Sequence, residues 1–346
     1  MKGEIIMSLE GFKTLSEAKV GESFARPVFI KEISEIKKEG GNTHLRFTLL
    51  DGCTEESAML FSTTAAQAKS SGIVRHIIAN ASIKVSDYNG KSFNIQKIVP
   101  YGGDDLKIDD FVVTPPIDIE LMYNEMTSKL KEIGDDMNGT VRPISELALD
   151  IIRDNEKHYK HSSAAVKVHH NFKGGLIYHS YRMFKGAEAL CGVYHELDRE
   201  LLMSAAAIHD IGKMWEYKTD IFGSAEYSAG GVLFGHLYMG AKLVSNYAEK
   251  YDKEHPEGPK YNEEKLKLLI HMILSHHGKH EWGAVVVPAI PEAYVLHYLD
   301  NIDAKLNVCE KEYPKLAPGA VTQSRPFTFD GNIYKATYNT DDERGV

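Results

Sequence analysis

Apolar and polar residues alternate through much of the first hundred positions, and a period of two predicts β-strands with one buried face. Asp51-Gly52 and Asn89-Gly90 supply turns, and the second is a strong signal for a tight hairpin. An Ala- and Gln-rich segment between the two hairpins predicts one short helix. This order of elements favours a five-stranded barrel of the OB type over other small β-barrels or sandwiches. The predicted elements are strands at 45–49, 57–61, 77–85 and 93–99 and a helix at 63–69.

The spacing of apolar residues changes near residue 117 to the three- and four-residue intervals of amphipathic helices. A Gly- and Pro-punctuated acidic segment at 102–116 separates the two patterns. Pro291 stands at the start of the last helical pattern, where proline is favoured. The predicted helices lie at 117–133, 147–152, 201–208, 236–251, 263–275 and 291–309.

A chain of 346 residues is longer than one hydrophobic core usually supports, so two domains are expected. The change of pattern marks the boundary between them. The predicted organisation is an all-β OB-fold barrel at 1–105, a linker at 106–117, an all-α helical bundle at 118–313 and a C-terminal tail at 314–346.

The composition indicates a cytoplasmic protein with no membrane partner. The longest apolar runs are far below the roughly 20 residues that span a bilayer, and no secretory signal is visible. The three cysteines are odd in number and far apart, so they do not suggest a disulfide framework.

Charge and histidine divide unevenly between the two predicted domains. The net charge is −9, and residues 1–110 carry only −1 of it. The excess of acidic residues argues against a broad basic surface for binding nucleic acid, although it does not exclude a local nucleic-acid-binding site. Of the 16 histidines, 14 lie after residue 110. The two domains are therefore expected to have different roles.

Histidines and aspartates recur at or near the predicted helices. One adjacent pair, His209-Asp210, follows the very apolar helix at 201–208, and burying such polar groups without partners costs several kcal/mol. Imidazole nitrogen and carboxylate oxygen together suit manganese, iron, cobalt, nickel or zinc, and Asp210 is the natural bridge between two ions. The motifs in chain order are His179, His209-Asp210, His236, His276-His277 and Asp300.

This ordered set resembles the HD-domain metal-dependent phosphohydrolases over roughly residues 157–305. The resemblance implies two divalent ions, manganese before the other metals, and a catalytic role for Asp210. It also implies that Lys213 contacts a substrate phosphate. The implied ligands are His179, His209, Asp210 and Asp300 for the first ion and His236, His276, His277 and Asp210 for the second.

Several neighbouring residues limit this assignment. Gly-Tyr-Pro, typical of HD-GYP cyclic-dinucleotide phosphodiesterases, does not follow His277. Gly175 stands where some of those enzymes have a glutamate for a third ion, so two ions are expected. Asp303 lies one turn beyond Asp300 and is the competing ligand, and His297 is expected to support a ligand from behind.

The combination of a barrel with this helical domain is similar to the YhaM family of bacterial 3′→5′ exoribonucleases. The segment 169–176, which leads into His179, contributes to the resemblance. It implies a metal-dependent 3′→5′ exonuclease for single-stranded RNA, with single-stranded DNA as a further substrate, and a barrel that holds the strand. The candidate contacts with nucleic acid are Arg46, Phe61 and Tyr88 on the barrel and His169 and His170 in the helical domain.

Two other functions remain open from the sequence. One is an HD phosphohydrolase of nucleotides or cyclic dinucleotides, in which the barrel has a regulatory or assembly role. The other is a nucleic-acid-binding protein with a vestigial HD site, which the intact ligand set disfavours. Homo-oligomerisation is also left open.

Overall fold

The structure, a computed structural model, consists of two compact units. One unit comprises Met1–Thr114, Glu310–Pro326 and Gly331–Val346, and the other comprises Pro115–Cys309 and Phe327–Asp330. We call them the barrel unit and the helical unit. The residues that the structure describes are 9, 11–37, 43–88, 90–135, 141–166, 172–326 and 328–338.

The barrel unit is a closed five-stranded barrel with the strand order β1-β2-β3-β5-β4. Strands β3 and β5 pair in parallel, and the other neighbours are antiparallel. The short helix α1 separates the first three strands from the last two, as in an OB-fold. The predicted fold class of this region is therefore confirmed. The elements are β1 (Ser23–Lys37), β2 (Thr43–Leu50), β3 (Glu55–Leu60), α1 (Ala65–Ser70), β4 (Ile77–Asp87) and β5 (Lys91–Pro100).

The apolar residues of the alternating pattern face the interior of the barrel. Leu45, Phe47 and Leu49 on β2 are fully buried, and Arg46 between them is exposed. Alternate residues of β2 and β4 point into the core, which removes their apolar surface from water and stabilises the barrel.

The segment predicted as a linker is partly folded. Ile108–Phe111 forms a 3-10 helix, and Leu106, Phe111 and Val112 are buried. Of the predicted tail, residues 314–326 and 331–338 fall in the barrel unit, a position that the sequence pattern had not assigned. The short apolar stretches involved are too irregular to show a strand or helix period, and tertiary packing buries them.

The helical unit confirms the predicted bundle. Its core combines the apolar faces of all the long helices and is centred on α6, whose ten residues are nearly all buried. The helices are α2 (Ile119–Asp135), α3 (Ile144–Asp154), α4 (Glu156–His161), α5 (Gly175–Cys191), α6 (Arg199–Ile208), α7 (Lys213–Glu216), α8 (Ala229–Glu254), α9 (Glu263–Ser275) and α10 (Pro291–Glu312), with two short strands, β6 (Tyr217–Thr219) and β7 (Ala225–Tyr227), between α7 and α8.

Several features of the helical unit were not predicted, including the helices α4, α5 and α7. Strands β6 and β7 form a small hairpin. Helix α8 begins seven residues before the predicted start, and Gly235, with φ of +68°, interrupts it immediately before His236. A left-handed residue inside a helical pattern carries no periodicity signal of its own, so the kink was not visible in the sequence. Every helix in the described part of the chain is too short or too polar to cross a membrane.

Candidate metal centre

The His209-Asp210 pair lies where α6 ends. The packed residues of α6 fix its C-terminal end, and both members of the pair are at most 1% exposed. Gly212 approaches α8 so closely that a Cβ there would stand 2.1 Å from the backbone oxygen of His236. Because only glycine allows this approach, Gly212 brings His236 to the end of α6.

Asp210 lies at the centre of the predicted ligands. Its Oδ2 is 3.4 Å from Nε2 of both His179 and His209. Its Oδ1 is 3.4 Å from Nε2 of His236 and 3.5 Å from Nε2 of His276. The carboxylate thus presents one oxygen to each of two groups of histidines.

The structure brings all seven predicted metal ligands together from α5, α8, α10 and the C-terminal ends of α6 and α9. Asp300 Oδ1 completes the first group at 3.4 Å from His179 Nε2. Three overlapping sets have ligand atoms within 4.8 Å of one another: His179, His209 and Asp300; His236, His276 and His277; and His209, Asp210 and His276.

Four of the histidines are oriented by hydrogen bonds from Nδ1. An Nδ1–H that donates to a carboxylate or a carbonyl fixes the tautomer and leaves Nε2 available as a metal ligand. Two acceptors are carboxylates and two are backbone oxygens one turn earlier in the same helix. The bonds run from His179 to Asp303 (2.7 Å), from His236 to Glu216 (2.8 Å), from His209 to the Ala206 oxygen (3.1 Å) and from His276 to the Ile273 oxygen (2.9 Å).

The Nε2 atoms face one another across the cluster. His179 Nε2 is 3.1 Å from His209 Nε2, and His236 Nε2 is 3.3 Å from His277 Nε2. Two nitrogen lone pairs at such distances repel unless a cation, either a proton or a metal ion, lies between them. Asp210 Oδ1 is also buried and accepts no hydrogen bond from the described residues. This donor set fits a divalent metal and indicates that the helical unit binds one.

The local charges differ between the two sides of the cluster. Burial lowers the pKa of His179, but the Asp300 and Asp303 carboxylates outweigh it and raise that pKa to about 10. Burial and the neighbouring His276 lower the pKa of His277 to about 3. One side therefore favours a positive charge, and the other presents a neutral imidazole, the form that coordinates a metal.

Lys213 provides a fixed positive charge beside Asp210. Its Nζ donates to Asp210 Oδ2 at 2.7 Å, and the residue is 8% exposed. Burial would raise the pKa of Asp210, but the Lys213 ammonium and His209 hold it well below its usual range. Burial would lower the pKa of Lys213, and Asp210 reverses the effect and raises it. Both groups therefore stay ionised at neutral pH.

Glu216 orients His236 and was not identified from the sequence. Besides the bond from Nδ1, its Oε1 accepts from the His236 backbone N–H at 3.2 Å. Glu216 ends the short helix α7, twenty positions before His236, and no spacing rule connects the two residues. Only the tertiary structure could have revealed this contact.

Asp303 was considered in the sequence only as a competing ligand. It orients His179 and pairs with Arg182 Nε at 2.6 Å. Its three-residue distance from Asp300 places both carboxylates on one face of α10, which could have suggested a supporting role. His297, expected to support a ligand, donates from Nδ1 to the His276 backbone oxygen at 2.8 Å.

The candidate contacts on the barrel lie in two places. Phe61 follows β3 and packs edge-on against His44 of β2, with centroids 4.9 Å apart, and the exposed Arg46 lies on the same strand as His44. Tyr88, 78% exposed, lies in the turn before β5. Because Ala58 pairs in parallel with Phe93, Tyr88 lies near the beginning of β3 and Phe61 near its end. The other two candidates, His169 and His170, lie outside the described residues.

Comparisons with known proteins connect these features. A family model described as the HD domain matches residues 176–305. The chain is 30% identical over 323 residues to the 3′-5′ exoribonuclease YhaM of Bacillus subtilis (strain 168), covering 92% of this chain and 97% of that protein. It is 32% identical over 258 residues to the protein of the same name from Bacillus licheniformis, covering 74% and 77%. Among solved structures, the second OB-fold domain of replication protein A from Methanococcus maripaludis aligns with 28% of this chain and 98% of that domain, at 17% identity and a TM-score of 0.22.

Proposed function

Because this chain belongs to the YhaM family of 3′-5′ exoribonucleases, we propose that it shortens single-stranded RNA from the 3′ end with two divalent ions. The reaction is hydrolysis of a phosphodiester bond. Single-stranded DNA is proposed as a further substrate, and manganese as the preferred ion before iron, cobalt, nickel or zinc.

One observation carries the two-ion proposal. Asp210 turns one oxygen toward the group of His179, His209 and Asp300 and the other toward the group of His236 and His276. Each group has enough nitrogen and oxygen donors for its own ion, and a bridging carboxylate is the usual link between paired ions. Bound divalent ions would activate water and neutralise charge on the phosphate.

The protein groups around the ions have separate roles in this proposal. Asp210 would hold both ions, and Lys213 would offer its ammonium to a non-bridging phosphate oxygen, where negative charge develops in the transition state. The Lys213–Asp210 contact of 2.7 Å holds the ammonium in place before substrate binds. Burial of both groups keeps bulk water from weakening the interaction.

The barrel unit is proposed to hold the strand. Arg46 would contact a phosphate, and Phe61 and Tyr88 would stack on bases, since rings stack on any nucleobase. His169 and His170 remain proposed contacts from the segment before α5. The barrel carries little net charge, so stacking and a few cations would supply most of its affinity.

The competing functions are separated by substrate. Metal-loaded full-length protein is incubated with 5′-labelled single-stranded RNA, the same sequence as DNA, a mononucleotide and a cyclic dinucleotide. A ladder of shortened labelled RNA supports the proposal, whereas immediate release of a labelled mononucleotide would reverse the polarity. Turnover of the small molecules alone would show a nucleotide phosphohydrolase.

Asp210→Ala and a matched control complete the experiment. Asp252→Ala removes an exposed carboxylate from α8 of the same unit and should leave the ladder unchanged. RNA binding that persists without any Asp210-dependent hydrolysis would support the vestigial-site alternative. Elemental analysis of the wild type should find two ions per chain, and one ion would contradict the two-ion proposal.

A further inference from the structure

The loop after His277 is fixed beside the metal cluster. Backbone hydrogen bonds of 2.7 Å and 3.1 Å tie the two ends of 278–285 to the last turn of α9. His280–Trp282 forms a 3-10 turn in this loop. A Cβ on Gly283 would lie 3.5 Å from His277 Nδ1, so the loop lies close beside a predicted metal ligand. Its conformation is therefore set before any substrate binds.

Trp282 projects from this anchored loop with 48% of its surface exposed. Its ring lies against His297, with centroids 5.7 Å apart, and Lys279 Nζ stands 4.4 Å from the ring centroid. The Lys279 side chain is itself 57% exposed and lies 3.5 Å from the exposed Glu281. A large flat ring and an exposed cation thus lie together at the edge of the cluster.

We propose that Trp282 and Lys279 form a nucleotide-binding subsite for the substrate strand, next to the scissile phosphate. This inference rests on the proposed exoribonuclease function. A nucleobase stacks on the Trp282 ring and displaces the Lys279 ammonium, which then pairs with a neighbouring phosphate. His297 supports the ring and is itself bonded to the backbone of His276, so the position of the base is fixed relative to the cluster.

The magnitudes favour this exchange. Stacking of a base on an aromatic ring improves affinity by about 5- to 150-fold, whereas an exposed cation–π contact changes an equilibrium by about 2- to 5-fold. The ammonium also gains a phosphate partner in place of the exposed Glu281 carboxylate, whose pairing contributes little. A base therefore outcompetes Lys279 for the ring.

The test combines a protein change with a substrate change. Trp282→Ala should raise the KM for a short single-stranded RNA about 10-fold and change kcat less than about 2-fold, because stacking is lost equally in the bound and transition states. Trp282→Phe should recover most of the loss. Tyr194→Ala removes an exposed ring beyond the far end of α5 and should leave KM unchanged.

The decisive measurement uses RNAs that lack the base at one of the last three positions. At one of these positions the abasic RNA should bind wild type and Trp282→Ala equally well, because the ring has no base to stack on. Lys279→Gln should weaken binding and reduce its salt dependence, whereas Trp282→Ala should not alter the salt slope. Equal KM values for wild type and Trp282→Ala on intact RNA would overturn the proposal, as would an Ala penalty that persists at all three abasic positions.

A second readout does not require hydrolysis. The chain has two tryptophans, so Trp215→Phe leaves Trp282 as the sole indole. RNA added to this variant in chelator should quench its fluorescence more than the abasic RNA does. If wild type hydrolyses no RNA, the proposed function fails; if it hydrolyses RNA with an unchanged KM in Trp282→Ala, the subsite alone fails.

Discussion

Asp51 in the barrel unit and Asp210 in the helical unit are both buried, and the surroundings of these two carboxylates are opposite. In the barrel unit, Asp51 Oδ2 accepts from the Leu15 N–H at 2.6 Å and from Arg26 Nη1 at 2.9 Å. Its Oδ1 accepts from the N–H groups of Cys53 and Thr54 at 3.0 Å and 2.8 Å. Every oxygen has a proton donor within the protein, so Asp51 connects the N-terminal segment to the strands of the barrel.

Asp210 in the helical unit is equally buried, but among the described residues one of its two oxygens, Oδ1, has no hydrogen-bond donor. Oδ2 accepts from Lys213, but Oδ1 accepts no hydrogen bond from the described residues and faces the Nε2 atoms of His236 and His276. A buried carboxylate with all its partners holds a fold together, whereas one with an oxygen directed at nitrogen lone pairs is arranged for a cation. Burial alone therefore does not distinguish structural from functional charge.

The largest expected effect comes from removing the functional aspartate. Asp210→Ala should lower RNA hydrolysis by at least about 10³-fold, since it removes both the bridge and the partner of Lys213. Elemental analysis should show fewer than two bound ions. Asp51→Ala is measured in parallel, with a substrate of two or three nucleotides for hydrolysis. It should keep its metal content, and a loss of metal in this variant would contradict the contrast between the two aspartates.

Removing the structural aspartate should instead destabilise the barrel unit. Asp51→Ala leaves Arg26 buried without its counter-charge, which costs about 3–5 kcal/mol. Both tryptophans lie in the helical unit, so their fluorescence would not report unfolding of the barrel unit. Hydrogen exchange is therefore the suitable measurement. Amides of β1 and β2 should exchange faster, and those of α6 should not. The double variant Arg26→Met/Asp51→Leu should recover most of the protection, and a double variant as unstable as Asp51→Ala would contradict the ion-pair explanation.

The two orienting carboxylates should give intermediate effects on different ions. Glu216→Gln removes the carboxylate behind His236, and Asp303→Asn removes the one behind His179. Each should weaken one ion by about 10- to 100-fold, as measured by calorimetric titration with manganese. Glu226→Gln on the adjacent strand β7 is the matched control for Glu216. If both variants weaken the same ion, the two-group arrangement is wrong.

The smallest effects are expected on the barrel surface. Phe61→Ala should weaken binding of long RNA about 5-fold, the lower end for a stacking ring, and Arg46→Ala should reduce the salt slope of binding by about one. Tyr88→Ala removes a ring from the opposite end of β3 and should cost less. Binding measured by fluorescence anisotropy on RNAs of increasing length would show whether Tyr88 contributes only to the longer strands. An unchanged affinity in Phe61→Ala would remove this ring from the interface.

The sequence predicted the elements whose pattern is local. Alternation identified β2, β4 and β5, and helical spacing identified α2, α6, α9 and α10. The predicted ligands could be identified from the sequence because an ordered set of histidines and aspartates is a pattern along the chain. Strand β1 and the helices α4, α5 and α7 were not among the predicted elements. The start of α8 and the hairpin of β6 and β7 were also missed, because a glycine kink and two three-residue strands leave too few residues to establish a period.

The amino-acid sequence by itself determined the two-domain class, the barrel with its helix and the seven residues proposed as ligands. The tertiary structure alone decided which nitrogen of each histidine faces the centre, because that depends on acceptors such as Glu216 and Asp303 that lie far away along the chain. It also decided that Asp51 is fully paired and that Asp210 is not. Both carboxylates are ordinary aspartates in the sequence, and only the placement of surrounding donors and lone pairs separates a structural charge from a metal ligand.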